Sequence, residues 1–426
     1  MKQSGIDWIG EIPDGWEIYQ LSQLVKQVKN KNSLLQEKNL LSLSYGSIKR
    51  KDINSSDGLL PASFDGYNII ENGDIVLRLT DLQNDHTSLR VGRTSERGII
   101  TSAYTTLHPI NINHSKFLYY MLHSFDLKKG FYGMGAGVRQ GLNYDEVKSL
   151  KVPLPPLAEQ QKIAAYLDKK ISQIDAIITE AKQSIEEYKA WKQSVIFEAV
   201  TGKNKSGAKK DSGIEWIGEI PEGWEVCKTL YLLNMPITDG PHETPVLYDS
   251  GIPFISAEAV SCGNGHIDFS HMRGYISEEY YIECCKKYIP QLDDIYMIKS
   301  GATTGKIAKV ETAKKFTIWS PLAVFRFNTR KVYIQFMYYY LQSECYQKQI
   351  EDKWTFGTQQ NIGMRTLEKL KTVLPPIHEQ EAIAKMLDSK CAQIDSLIAE
   401  KESLIADLSE YKKSLIFEVV TGKRSV

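Results

Sequence analysis

Apolar residues recur through residues 157–200 with a sustained period near 3.5. They are Leu167, Ile171, Ile174, Ile178, Ala181, Ile185, Tyr188, Val195 and Ala199, with Lys192 at the one polar position. Such spacing keeps one stripe facing a partner helix and predicts the seam of a coiled coil. Pro153, Pro155 and Pro156 punctuate its start, and no proline or glycine follows until Gly202, as suits one unbroken helix. Leu157 to Ala199 would span about 60 Å at ~1.5 Å per residue. The stripe repeats at Leu387, Cys391, Ile394, Ile398, Ile405, Leu408, Leu415 and Val419, with Lys401 and Lys412 at the remaining positions. Each member lies 220 residues after its counterpart, and Lys412 matches Lys192. Two seam lysines at matched places point to one shared register.

The regions between are of another kind. Short β-type runs such as Ile75–Val76–Leu77 and Gly98–Ile99–Ile100 alternate with NG, DG and GD turns, and a helical stretch is expected near Ser115–Ser124. This predicts mixed α+β domains. The expected division is 1–152 and 212–372 for the two variable domains, 153–203 and 373–426 for the helices. Residues 204–211 are expected to form a polar linker with no means of packing.

The repeat extends beyond the helices. SGIDWIGEIPDGWE at 4–17 returns as SGIEWIGEIPEGWE at 212–225, LPPLAEQ at 154 returns as LPPIHEQ at 374, and SVIFEAVTGK at 194 returns as SLIFEVVTGK at 414. Apolar stripes this long must be buried, and each helix is the nearest partner of the other. If the pair is antiparallel, the first TGK leads by a short linker into the second SGI opening and the last TGK lies near the first. The expected fold class is therefore α+β, with two mixed α/β domains at opposite ends of a long antiparallel two-helix coiled coil of pseudo-twofold symmetry. Trp8, Trp216, Trp16 and Trp224 are expected to pack domain against helix, since they are identical in both halves.

Composition narrows the function. Net charge is zero, which argues against strong solitary binding to nucleic acid but permits local basic surfaces or a partner that supplies charge. Six cysteines, all in the second half and none in a C-x-x-C pair, predict reduced thiols and no zinc site. No apolar run approaches membrane length and the start has no signal-peptide core, so a cytoplasmic location is expected. The glycine-rich run Gly133–Gly137 lacks a preceding strand pattern, and Gly301–Lys306 is one residue short of a P-loop, with Ile307 where a hydroxyl is needed. No nucleophile–base pair or metal-spaced cluster stands out, so neither catalytic residues, a metal nor a cofactor is expected.

A binding vocabulary remains. Lys49, Arg50, Arg78, Arg90 and Arg93 fall in loop-rich stretches of the first half, and Lys299, Thr303, Thr304 and Lys306 in a lysine-rich stretch of the second. Arg139 and Gln140 align with Gln359 and Gln360 at the 220 offset. Arginine can read guanine and glutamine adenine. Divergent polar loops at equal places suit two half-site readers. The helical seam is expected at Leu167, Ile174, Ile178 and Ile185 against Leu387, Ile394, Ile398 and Ile405.

The paired openings, the two LPP-x-x-EQ-x-x-IA helix starts and the two IFE-x-VTGK ends resemble the specificity subunit of Type I restriction–modification systems, over both halves of the chain. The resemblance implies two target recognition domains separated by two conserved helices. Each domain reads one half of an asymmetric site in double-stranded DNA. The helices act as a ruler on which two modification subunits dock to methylate adenine at N6, and motor-nuclease subunits can join. The chain itself would be non-catalytic. The residues alone leave two other classes open: a protein-interaction scaffold, or the recognition half of a fused methyltransferase or nuclease.

Overall fold

The computed structural model describes residues 1–54, 61, 63–85, 87–134, 141–356 and 360–426. The chain divides into two compact units. Unit 1 comprises residues 1–182 and 402–426, and unit 2 comprises residues 183–401. The first long helix runs Leu157–Thr201 and the second Ile377–Val420. Each therefore contributes one part to either unit, which partitions the chain differently from the expected separation of domains from helices.

In unit 1 a four-stranded antiparallel sheet has the order Val25–Gln27, Thr105–Pro109, Ile75–Leu77, Val91–Arg93. The central strand Ile75–Leu77 is buried on both faces, so it reads as a continuous apolar run rather than an alternating one. Helix Ser115–Leu127 covers the sheet with Phe117, Leu118 and Met121. Strand Lys151–Leu154 pairs with Glu17–Gln20 just before the long helix begins.

Unit 2 repeats this plan. Its sheet runs Thr238–Asp239, Leu322–Phe325, Ile295–Ile298, Ile307–Lys309. Helix Ile334–Gln342 takes the covering role, and Lys371–Leu374 pairs with Glu225–Lys228. A further sheet, Gly274–Ile276, Ile252–Ile255, Thr317–Ile318, has its counterpart in the unit 1 hairpin Leu41–Ser44 with Ser47–Arg50, beside which Leu40 bridges Ile99 in parallel.

The repeated motifs have physical roles in both units. In each SGI opening the serine hydroxyl accepts the amide of the isoleucine two residues on, at 3.1 Å for both Ser4 and Ser212. The glycine between them takes positive φ, +63° at Gly5 and +65° at Gly213, a conformation that costs other residues strain. In the EQ pair, Gln160 and Gln380 are each 1% exposed. Their amides donate to the Pro155 and Pro375 carbonyls at 2.7 and 2.8 Å. They satisfy the carbonyls of buried prolines ahead of the helix, where proline has removed the backbone donors that would otherwise pair with them. In each TGK, glycine ends the helix in the left-handed region, as a C′ residue should. A Cβ on Gly202 would strike Pro221 and approach Trp224, and one on Gly422 would strike Pro13 and approach Trp16. The expected packing role of Trp16 and Trp224 is seen in their burial, 1% exposed each.

Within each unit the two helix segments run antiparallel. In unit 2 Lys192 meets Asp395 while Lys205 meets Glu379. In unit 1 Lys412 meets Asp175 at 2.6 Å, and Leu167 and Ile174 share one apolar core with Leu415, Ile416 and Val419. Leu167, Ile174, Ile185, Leu387 and Ile394 are buried, and Ile178, Ile398 and Ile405 are half-buried. The seam lysines are thus explained: Lys192–Asp395 and Lys412–Asp175 are the same pair at the 220 offset. Ile196, Val200, Ile416 and Val420, outside the stripe, are fully buried as well, because near the TGK ends the helices turn a second face to the domain.

One expectation fails. The 204–211 linker is not free chain: Lys209–Asp211 forms a strand with Glu219–Pro221, matching the pairing of Lys2–Gln3 with Glu11–Ile12. All three side chains are exposed, so the contact is main-chain pairing alone and leaves no mark in the hydrophobic pattern.

Candidate nucleic-acid interface

In unit 2 the turn at 299–306 joins strands Ile295–Ile298 and Ile307–Lys309. Its closure is tight: the Gly305 amide donates to the Ile298 carbonyl at 2.8 Å and the Lys306 amide to Thr303 at 3.2 Å. Gly305 has φ +94°, and a Cβ there would strike the Gln347 amide oxygen. Gln347 in turn donates to the Gly305 carbonyl at 3.0 Å, bracing the turn from helix Glu344–Lys353. A remote segment packs beside it. The Gly301 amide donates to Gln360 at 3.0 Å, and the Ile362 amide to Lys299 at 2.9 Å. Thus Lys299, Thr303, Thr304, Lys306 and Gln360 are brought together. Lys306 is exposed, while Thr303, Thr304 and Gln360 are half-buried. Lys299 is only 13% exposed at its side chain, pinned 3.2 Å from the Asp239 carboxylate. That carboxylate, itself 1% exposed, also meets Lys287 and His242.

Unit 1 has the same platform. The Leu142 amide donates to Leu79 at 2.8 Å, which is the Ile362–Lys299 bond shifted by 220, and the Arg78 amide donates to Arg90 at 2.9 Å, as Ile298 does to Lys306. Arg78 sits here, one-third exposed, 3.7 Å from Asp85. Hydrogen bonds from Ser88 hold the Asp85 carboxyl well below the usual carboxylate range.

Arg90 is a correction. It is fully buried. Its guanidinium donates to the carbonyls of Arg78, Thr80, Asp81 and Asp85 at 3.1, 2.7, 3.2 and 2.5 Å, and its Nε to the Tyr132 hydroxyl at 3.0 Å. The loop's carbonyls converge inward and consume its donors, so Arg90 braces the loop and does not offer an edge to a base. Arg93 also departs from the expected group. In the antiparallel register Arg93 faces Ile75 while Val91 faces Leu77, so Arg93 emerges at the sheet end remote from Arg78. There its Nε donates to Ser115 at 2.7 Å, in a recess shared with Lys116, Asp168 and Lys169. Lys49 and Arg50 lie on a separate hairpin, Leu41–Ser44 with Ser47–Arg50. Both are exposed, and Arg50 is paired with Glu96. Arg139, Gln140 and Gln359 lie outside the described residues.

Among the described residues no group of three or more histidine, cysteine or acidic side chains could hold a metal, and no helix is long and apolar enough to cross a membrane. The sequence reading missed Arg273, Trp319, His242 and Lys287, which join this surface only through folding.

A duplicated platform whose framework repeats while its side chains diverge, carried by a duplicated helix, defines a two-headed recognition protein. The chain belongs to the family of the Type I restriction modification DNA specificity domain, whose model matches residues 13–187 and 244–405. It is 26% identical over 97% of its length to the Type I restriction enzyme MjaVIII specificity subunit of Methanocaldococcus jannaschii, covering 93% of that protein. It is likewise 26% identical to the putative MjaX specificity subunit of the same organism, over 97% of this chain and 95% of that one. In fold it is similar to a chain solved in work on complex assembly and conformational transition of the type I R-M system (TM-score 0.71, 16% identity, 97% of this chain and 100% of that one). The HsdS subunit from Thermoanaerobacter tengcongensis is a second structural relative (TM-score 0.51, 15% identity, 97% and 98% covered). This chain is accordingly a specificity subunit: it chooses the DNA site and is not the catalyst.

Proposed function

We propose that the chain reads a two-part, asymmetric site in double-stranded DNA, one half with unit 1 and the other with unit 2. Side chains on the two platforms would reach base edges in the major groove, where all four base pairs differ. Two modification subunits would dock along the long helices. Each would flip an adenine from the stack and methylate it at N6, and motor-nuclease subunits can join the same assembly. Such a complex works on the chromosome, in the cytoplasm. The helices, each uninterrupted, suit a ruler that sets the gap between half-sites.

The observation that carries this reading is the platform at the 220 offset. Its framework bonds recur, Leu142–Leu79 and Ile362–Lys299, while the residue closing the loop is buried Arg90 in one unit and exposed Lys306 in the other. A shared framework with unlike surfaces is what two half-sites of unlike sequence require. The test is to replace residues 212–372 with those of a relative, in cells holding the modification subunits, and to map methylated adenines across the genome. One half-site should change while the other and the gap persist. A motif altered in both halves, or in neither, overturns the assignment.

A further inference from the structure

We propose that Arg273 is a base-reading residue of unit 2 and that it takes the edge of a guanine in duplex DNA. Its guanidinium carbon lies 3.9 Å from the centroid of the Trp319 ring. Stacking fixes the plane of the fork without using its N–H donors. Arg273 is exposed, and among the described residues no carboxylate pairs with it. Arg326 shows the contrast: its Nη2 sits 2.7 Å from Asp294, and it serves the fold.

The stack is rigidly mounted. The Arg273 amide donates to the Phe254 carbonyl at 3.0 Å and the Trp319 amide to Ile255 at 2.9 Å. Both partners therefore hang from consecutive residues of one strand, Ile252–Ile255. The stack also adjoins the platform. Past Trp319, the Ser320 amide donates to Pro241 at 3.1 Å, and Pro321 accepts the Lys299 amide at 2.7 Å, which places this segment directly against the 299–306 turn. A planar fork, pre-oriented and unpaired beside a DNA-reading turn, matches the two acceptors N7 and O6 that guanine shows in the major groove. A phosphate also accepts such a fork, but a phosphate contact carries no sequence preference.

The inference rests on unit 2 reading one half-site. The experiment maps methylated adenines in cells expressing the full chain with its modification subunits, as wild type, Arg273→Ala, Arg273→Lys and Trp319→Leu. Both arginine variants should relax one guanine in the half-site assigned to residues 212–372, lowering discrimination at that position by about fivefold to a hundredfold. Trp319→Leu should relax the same position more weakly. The other half-site and the gap should stay as they are. Three outcomes overturn the proposal: Arg273→Lys methylating the wild-type sites and no others, uniform weakening at every site, or a half-site that holds no guanine. Arg273→Lys keeps the stem and the charge, so it decides the matter even if Arg273→Ala folds poorly. Failure of the exchange of residues 212–372 would instead remove the premise that unit 2 reads one half-site, whatever the Arg273 variants do.

Discussion

Replacing Arg90 with methionine should open the 78–90 loop while leaving the sheet beneath it intact. Methionine keeps much of the stem's bulk and removes every donor. Four loop carbonyls and one tyrosine hydroxyl then lose their partner. Charge-assisted hydrogen bonds contribute about 1.5–3 kcal/mol each, so a naive sum would exceed 7 kcal/mol. The loop is at the surface and can rehydrate once open, which caps the loss near ~3–5 kcal/mol, the scale for breaking a buried charged network. Hydrogen exchange reads this directly. Amides that depend on the loop, Arg78 bonded to Arg90 and Leu142 bonded to Leu79, should exchange about a hundredfold faster or more, since each ~1.4 kcal/mol is a factor of ten. Amides of Ile75–Leu77 should keep their protection. In the proposed complex with modification subunits, the half-site assigned to unit 1 should lose definition as a whole. The reasoning is refuted if the loop stays protected while a single base preference changes, because Arg90 would then be touching a base and not bracing a loop.

The seam lysines offer a double-mutant cycle. Lys192→Ala, Asp395→Ala and the double variant, compared by urea unfolding, should give a coupling of about 0.5–1 kcal/mol, the scale of a partly exposed pair; zero coupling would mean the pair does not help set the register. Asp126 offers a pH test. Burial pushes its carboxyl up to about 6, so the folded state favours the protonated form and this residue's contribution weakens as pH rises from about 4 through 6. Asp126→Asn keeps an acceptor for the Arg90 amide, now 2.7 Å away. The variant should be more stable than wild type at pH 7.5 by about 1 kcal/mol or more, with the advantage fading below pH 5. Equal stability at both values would rule out a charged, strained Asp126.

What the sequence discloses follows the physics that leaves a periodic trace. The seam at Leu167, Ile174, Leu387 and Ile394 is legible because burial on a helix imposes a period. The matched lysines are legible as a pair, although their partners Asp175 and Asp395 are not, since an exposed aspartate looks like any other. The Gln160 and Gln380 motif is visible, but not that each amide caps a buried proline carbonyl. The candidate interface is harder. Arg78, Arg90 and Arg93 are alike in a string of letters, and only the strand register sends one to the platform, one inward and one to the far end. Arg273 and Trp319 are remote in sequence and meet because they hang from neighbouring residues of one strand. The strand at Lys209–Asp211 is invisible because its pairing uses the backbone alone.

The assignment of residues 402–426 to unit 1 has a consequence for biosynthesis. Leu415, Ile416, Val419 and Val420 lie in the same apolar core as Trp16 and Phe117. A ribosome that has made everything through Lys401 has therefore supplied all of unit 2, whereas unit 1 still lacks one wall of its core. The domain that begins first is finished last. Its exposed face must wait through the synthesis of the whole second domain, and domains generally fold as units when their parts are present. Truncations that remove only residues beyond Lys401 should thus injure the N-terminal domain, and leave the C-terminal one folded.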